Sequence, residues 1–175
     1  KIQSLCFKMD DDIRWLIALL SDTGMRLAEA VGLAKEDVFL NTEIPYVRLC
    51  ERPWRPLKTA SSEREVPIVG AALWATQRAY KCSPNEFLFP RYCSGKGCKA
   101  DYASNSLNKW IRKYVPDRCV VHSFRHSMRD RLRAIDCPPD VIDQIGGWAK
   151  LSVGANYGSG HCKAKVYDLM LKITN

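Results

Sequence analysis

The chain has 175 residues, 27 of them basic and 19 acidic, giving a net charge of +8 at neutral pH, and 46% of its residues are hydrophobic. That length and apolar fraction suffice for one domain with a proper core and exclude a disordered polymer, while the cationic excess favours a polyanionic partner. No apolar run approaches the roughly 20 residues of a membrane span, and the first residue is a lysine with no signal-peptide pattern after it. The expectation is a cytoplasmic domain belonging to a longer protein.

An acidic cluster at Asp10–Asp12 suits a helix N-terminus. Ile13, Leu16, Ile17 and Leu20 follow at helical spacing. Thr23-Gly24 breaks that helix, and residues 25–32 read as a second one with Arg26 in its first turn. Residues 46–50 and 64–68 are rich in strand formers and flank a loop containing proline and lysine, so a small antiparallel sheet of two or three strands is expected. Helical texture returns over residues 71–81. Residues 82–99 carry Pro84, Pro90, Gly95 and Gly97 and read as a loop, with Phe87-Leu88-Phe89 packing a short extended piece on the core. Further helices are predicted over 104–114, 124–135, 139–145 and 161–173, the last with Val166, Leu169, Met170 and Ile173 on one face. The fold class is mainly α with a small antiparallel sheet.

The eight cysteines are scattered without a CxxC pair, which argues against a structural zinc site. The chain is also larger than a disulfide-dense secreted scaffold. Free, mostly reduced thiols are expected.

Six residues suit one kind of chemistry. A phosphodiester resists nucleophiles because it is negatively charged, and attack loads more charge onto its non-bridging oxygens. Arginine answers this need: it stays charged and binds phosphate through two parallel hydrogen bonds. Arg26, in Thr23-Gly24-Met25-Arg26, and Arg125, in His122-Ser123-Phe124-Arg125, are candidates that only a fold could bring together. A cationic pocket would favour the phenolate of a tyrosine such as Tyr157. Lys58, on the loop between strands, could protonate a leaving oxygen. His122 could hydrogen-bond a phosphate oxygen or act as acid or base. The indole of Trp148, in Gly146-Gly147-Trp148, offers one donor.

In their order and spacing these residues resemble the tyrosine recombinases, the phage-integrase type of site-specific recombinase. Thr23-Gly24-Met25-Arg26 with Glu29 is similar to that family's first box, and Leu57-Lys58-Thr59 before Arg64-Glu65-Val66-Pro67-Ile68 to its lysine turn and following strand. His122-Ser123-Phe124-Arg125-His126 is similar to the second box, Gly147-Trp148 to the third, and Tyr157 follows at the family's distance. The resemblance implies that Arg26, His122 and Arg125 hold the scissile phosphate, that Lys58 is the general acid and that Tyr157 is the nucleophile. It implies supporting roles for Glu29 near Arg26 and for His126 behind the second box. Trp148 stands where the family more often has histidine, so proton transfer should fall to Lys58 and His122. The implied reaction joins double-stranded DNA segments through a 3′-phosphotyrosine, with no metal or cofactor, in a phage or mobile element. A DNA-clamping domain upstream and assembly into a tetramer through the C-terminal segment are also implied. A type IB topoisomerase would share the chemistry without joining two sites.

Overall fold

The computed structural model describes residues 1–148 and 160–174. Its helices are α1 (Ile2–Met9), α2 (Asp12–Thr23), α3 (Leu27–Val31), α4 (Gly70–Cys82), α5 (Ala100–Ile111), α6 (Ser123–Ala134), α7 (Pro139–Gly146) and α8 (Lys163–Lys172). Its strands are β1 (Val38–Phe39), β2 (Tyr46–Leu49), β3 (Arg64–Pro67), β4 (Cys93–Ser94) and β5 (Gly97–Cys98). The mainly helical class with a small antiparallel sheet is observed.

Helix α2 is the centre of the core. It starts where the Asp11 carboxylate accepts the Arg14 N–H at 3.1 Å. Leu16, Ile17, Leu19 and Leu20 are all buried, so it is apolar around most of its circumference and packs against α1, α4 and α6. The sheet runs β1-β2-β3, antiparallel throughout, with Val47 opposite Val66 and Arg48 opposite Glu65. Val47, Leu49 and Val66 turn to the core.

Several boundaries differ from the sequence reading. Helix α1 was not anticipated. Helix α5 begins at Ala100 rather than Ser104, with Asp101 in its first turn, where negative charge is favoured. The stretch read as a plain loop over 82–99 contains the β4–β5 hairpin. Within it the expectation of free thiols is corrected. The hairpin register sets Cys93 opposite Cys98 with Cα atoms 4.2 Å apart, and the two are joined as a disulfide. Cys6, Cys50, Cys82, Cys119, Cys137 and Cys162 are free thiols, as expected. Phe87, Leu88 and Phe89 are buried, as expected of the extended piece.

Helix α8 docks on its own chain. Val166 and Met170 are buried, the Lys163 ammonium lies 2.7 Å from Glu65 on β3, and it sits 3.3 Å from the centre of the Tyr46 ring. Among the described residues no helix is long and apolar enough to cross a membrane.

Candidate active site

The first box forms the junction between α2 and α3. Helix α2 ends at Gly24, and Arg26 caps α3 with an extended backbone. The Glu29 carboxylate reaches back to the Arg26 N–H at 2.9 Å and also accepts from the Arg26 guanidinium at 2.7 Å. Glu29 thus satisfies an orphan donor of the helix start and aims the arginine. The same carboxylate accepts from Arg64 at 3.0 Å. Arg64 itself donates to the carbonyls of Ser62 (2.7 Å) and Ile145 (3.0 Å), so it links β3 to the end of α7. Burial alone would push the Glu29 pKa up; the Arg64 charge and the hydrogen bonds from Arg64 and Arg26 reverse that, and it lies below the usual carboxylate range. Burial pulls the Arg64 pKa down in spite of Glu29.

The second and third boxes close on the first. Arg125 is buried near the start of α6 and donates to the Gly24 carbonyl at 2.6 Å. Its Nη2 is buried and has no hydrogen-bond partner among the described residues. Arg26 in turn donates to the Gly147 carbonyl at 3.3 Å. Gly147 ends α7 in the left-handed region at φ 60°, and a Cβ there would stand 2.6 Å from an Arg64 nitrogen, so glycine is required. Trp148 follows, its indole within cation–π distance of two guanidiniums: Arg125 at 4.3 Å and Arg129 at 5.0 Å from the ring centre. Arg129 is held in turn by Asp143 at 3.3 Å. Burial first, then Arg26, lowers the Arg125 pKa to about 10, which still leaves it charged at neutral pH.

His122 sits just ahead of α6, with the His126 ring at 5.1 Å in an edge-on contact. A cleft of about 200 Å³ opens beside it, bounded by Met25 and Leu27 on one side and Asp101 and Val121 on the other. The structure therefore gathers Arg26, Glu29, His122, Arg125 and Trp148. His126 is exposed, and its ring meets that of His122. Lys58 is exposed on the β2–β3 connection, one residue from Thr59, whose hydroxyl is 3.0 Å from that of Ser62. The Ser62 hydroxyl accepts from Arg26 at 2.9 Å, which places the lysine on the rim of the same site. Tyr157 lies outside the described residues.

Arg64 and Arg129 were missed as site residues. In the sequence Arg64 reads only as part of a strand. The one available signal is a charged residue at the start of a strand, and that signal is common on any surface.

A model of the phage integrase family matches residues 2–160. The chain belongs to that family. It is also 28% identical over 172 residues to the tyrosine recombinase XerS of Streptococcus pyogenes, an alignment covering 91% of this chain and 41% of the relative. The chain thus spans less than half the length of the curated relatives it matches. Two solved structures of the Tn1549 transposon integrase share the fold. One, in complex with circular intermediate DNA, gives a TM-score of 0.58 at 21% identity, covering 90% of this chain and 58% of that one. The other, in complex with transposon right end DNA, gives 0.55 at 21% identity, covering 87% and 56%.

The His122 pKa is pushed below its ordinary 6.5 by partial burial, then by His126, Arg125 and Arg26. The folded state therefore holds that proton less readily than the unfolded chain, and the associated stability is lost as pH falls below 6.5. A proton-detected titration of the free protein should give a midpoint below 6.5, moving up when a DNA phosphate offsets the two guanidiniums. A midpoint above 6.5 in the free protein would contradict this electrostatic picture.

Proposed function

We propose that this chain is the catalytic domain of a site-specific DNA recombinase, the integrase of a phage or mobile element. It cleaves and rejoins duplex strands through a covalent 3′-phosphotyrosine and uses no metal. The observation that carries this reading is the convergence of Arg26 and Arg125. Arg125 donates to the Gly24 carbonyl in the first box, Arg26 donates to the Gly147 carbonyl in the third, and Arg125 keeps one buried nitrogen without a partner among the described residues. Two fixed guanidiniums with His122 beside them form a donor set matched to a phosphate whose oxygens gain charge. The phenol of Tyr157 gives its proton to neutral His122 and attacks phosphorus. The bond from phosphorus to O5′ breaks, and O5′ takes a proton from Lys58. A 5′-hydroxyl from another strand later reverses the step, which conserves the bond energy.

The remaining roles follow the same reading. Glu29 orients Arg26, Trp148 packs Arg125, and His126 steadies His122. An upstream domain that clamps double-stranded DNA accompanies this one, and four copies assemble on DNA through the C-terminal segment, in the cytoplasm at the nucleoid. Val166 and Met170 are already buried against this chain's own core. The partner contact therefore falls to the outer side of α8, where Leu171 is exposed.

The test uses the protein with two labelled duplexes taken from the genomic DNA that flanks its coding sequence. The expected product is a recombinant duplex carrying both labels, formed in the presence of a chelator. Relaxation of supercoils without any joined product would instead point to a topoisomerase.

A further inference from the structure

The connection from β2 to β3, residues 50–63, far exceeds the two to five residues of an ordinary hairpin loop, yet both of its ends are tied down. At the far end, Ser62 takes hydrogen bonds from Arg26 and Arg64. At the near end the chain folds tightly on itself: the Arg52 and Arg55 backbones exchange hydrogen bonds of 3.1 and 2.9 Å around Pro53-Trp54. The Arg55 side chain is only 1% exposed and meets the fully buried Asp37 at 2.7 Å. Arg55 also donates to the carbonyls of Gly32 (3.0 Å) and Cys50 (2.9 Å). Asp37 takes a further pair of bonds from Arg52, at 2.8 and 3.2 Å. The Trp54 indole donates to Gly32 as well, at 3.1 Å, and its ring meets Phe87 edge-on at 5.2 Å. Gly32 is matched to this clamp, because a Cβ there would lie 2.8–2.9 Å from the Arg55 aliphatic stem.

Between the two anchors only Pro56 and Leu57 separate the clamp from Lys58. Pro56 stiffens that span by fixing its φ. The Lys58 side chain is exposed and has no hydrogen bond or ion pair among the described residues, so nothing local sets its position. We propose that Asp37 and Arg55, closed over by Arg52 and Trp54, are positioning residues for Lys58: they fix the root of its loop so that the ammonium meets the leaving oxygen. This rests on the reading of Lys58 as the general acid.

The consequence is chemical and separable. An alkoxide leaves poorly without a proton, whereas a thiolate, with a conjugate acid near pKa 8.5, leaves unaided at neutral pH. A DNA duplex whose scissile 5′-bridging oxygen is replaced by sulfur therefore does not need the lysine. The experiment measures single-turnover cleavage of oxygen and sulfur duplexes by the protein and by Arg55→Lys, Trp54→Phe and Lys58→Ala variants, with melting temperatures in parallel. On the oxygen duplex, Arg55→Lys should be slowed roughly 10- to 100-fold, within the range of general-acid contributions, and Trp54→Phe less. On the sulfur duplex both should cleave at close to the unmodified protein's rate, as Lys58→Ala does. If Lys58→Ala is rescued and the clamp variants are equally slow on both duplexes, the positioning role is wrong and the clamp merely supports the fold. If Lys58→Ala is not rescued, the general-acid reading fails and takes this proposal with it. Trp54→Phe keeps the ring against Phe87 and removes only the bond to Gly32, so it decides the matter if Arg55→Lys melts too low to assay.

Discussion

Replacing Tyr157 with phenylalanine is expected to eliminate the covalent protein–DNA adduct while leaving DNA affinity within about a factor of two, because affinity for a duplex comes from many distributed cations. Phenylalanine keeps the ring and removes only the oxygen that would bond to phosphorus. The described contacts around Arg26 and Arg125 run among Gly24, Glu29, Ser62, Gly147 and Trp148. Arg125→Ala makes the complementary change. It keeps the nucleophile and removes a buried, charged donor already aimed by Gly24 and Trp148. Cleavage should fall by about 10²- to 10³-fold, the usual loss for one preorganised donor to a developing anion. Both variants are read by trapping on a nicked duplex and resolving protein-bound DNA on a denaturing gel, with filter binding in parallel. Persistence of the adduct in Tyr157→Phe would remove Tyr157 from the reaction. An equal loss of binding and cleavage in Arg125→Ala would reduce it to a binding residue.

Glu29→Leu is expected to destabilise the folded domain by about 3–5 kcal/mol, the usual consequence of removing one partner from a buried ion pair. Arg64 is almost entirely shielded, with side-chain exposure of 5%, and Glu29 is the only carboxylate it meets among the described residues. Arg26 would lose the same partner and with it the aim of its guanidinium. For a domain of this size the melting temperature should drop by roughly 6–20 °C. The pH dependence fixes the sign. The folded Glu29 pKa lies below its ordinary 4.5, so the stability it contributes is fully present above that value and is lost as pH falls through the folded value. Melting curves of the two proteins should therefore converge on acidification below 4.5. A shift of less than about 2 °C at neutral pH would mean that Arg64 finds another partner or water.

Much of this molecule is legible in the sequence where the signal is local. The helices of the core announce themselves because Ile13, Leu16, Ile17 and Leu20 repeat at helical spacing, and β2 and β3 because their residues are strand formers between turn signals. The converging residues Arg26, His122, Arg125 and Trp148 are legible through their order along the chain, which separates them from the many other cationic and aromatic side chains. What stayed hidden is long-range pairing. Arg64 is ordinary in sequence until β3 is laid against α3 and α7. Arg129 becomes a second cation against the Trp148 ring only when α6 and α7 meet. Asp37 and Arg55 are 18 residues apart, and nothing in their spacing says that they will share a dry pocket. The Cys93–Cys98 pair likewise depends on the register of a hairpin too short to show alternation.

Strand β3 shows how tightly charge and geometry are tied. Successive side chains of a strand point to opposite faces. Arg64 turns toward Glu29 in the cationic pocket, while its neighbour Glu65 turns outward to Arg48 on β2 and Lys163 on α8. A slip of one residue would exchange them. It would set a carboxylate against the Glu29 carboxylate and a guanidinium against the Lys163 ammonium, two repulsions in place of two attractions. The four-residue strand is too short for its apolar pattern to enforce alignment firmly, so its alignment is written in ionic code as well. An inversion of that code, exchanging the charges at 64 and 65, is the kind of double change that homologous domains should not tolerate even though composition and net charge stay the same.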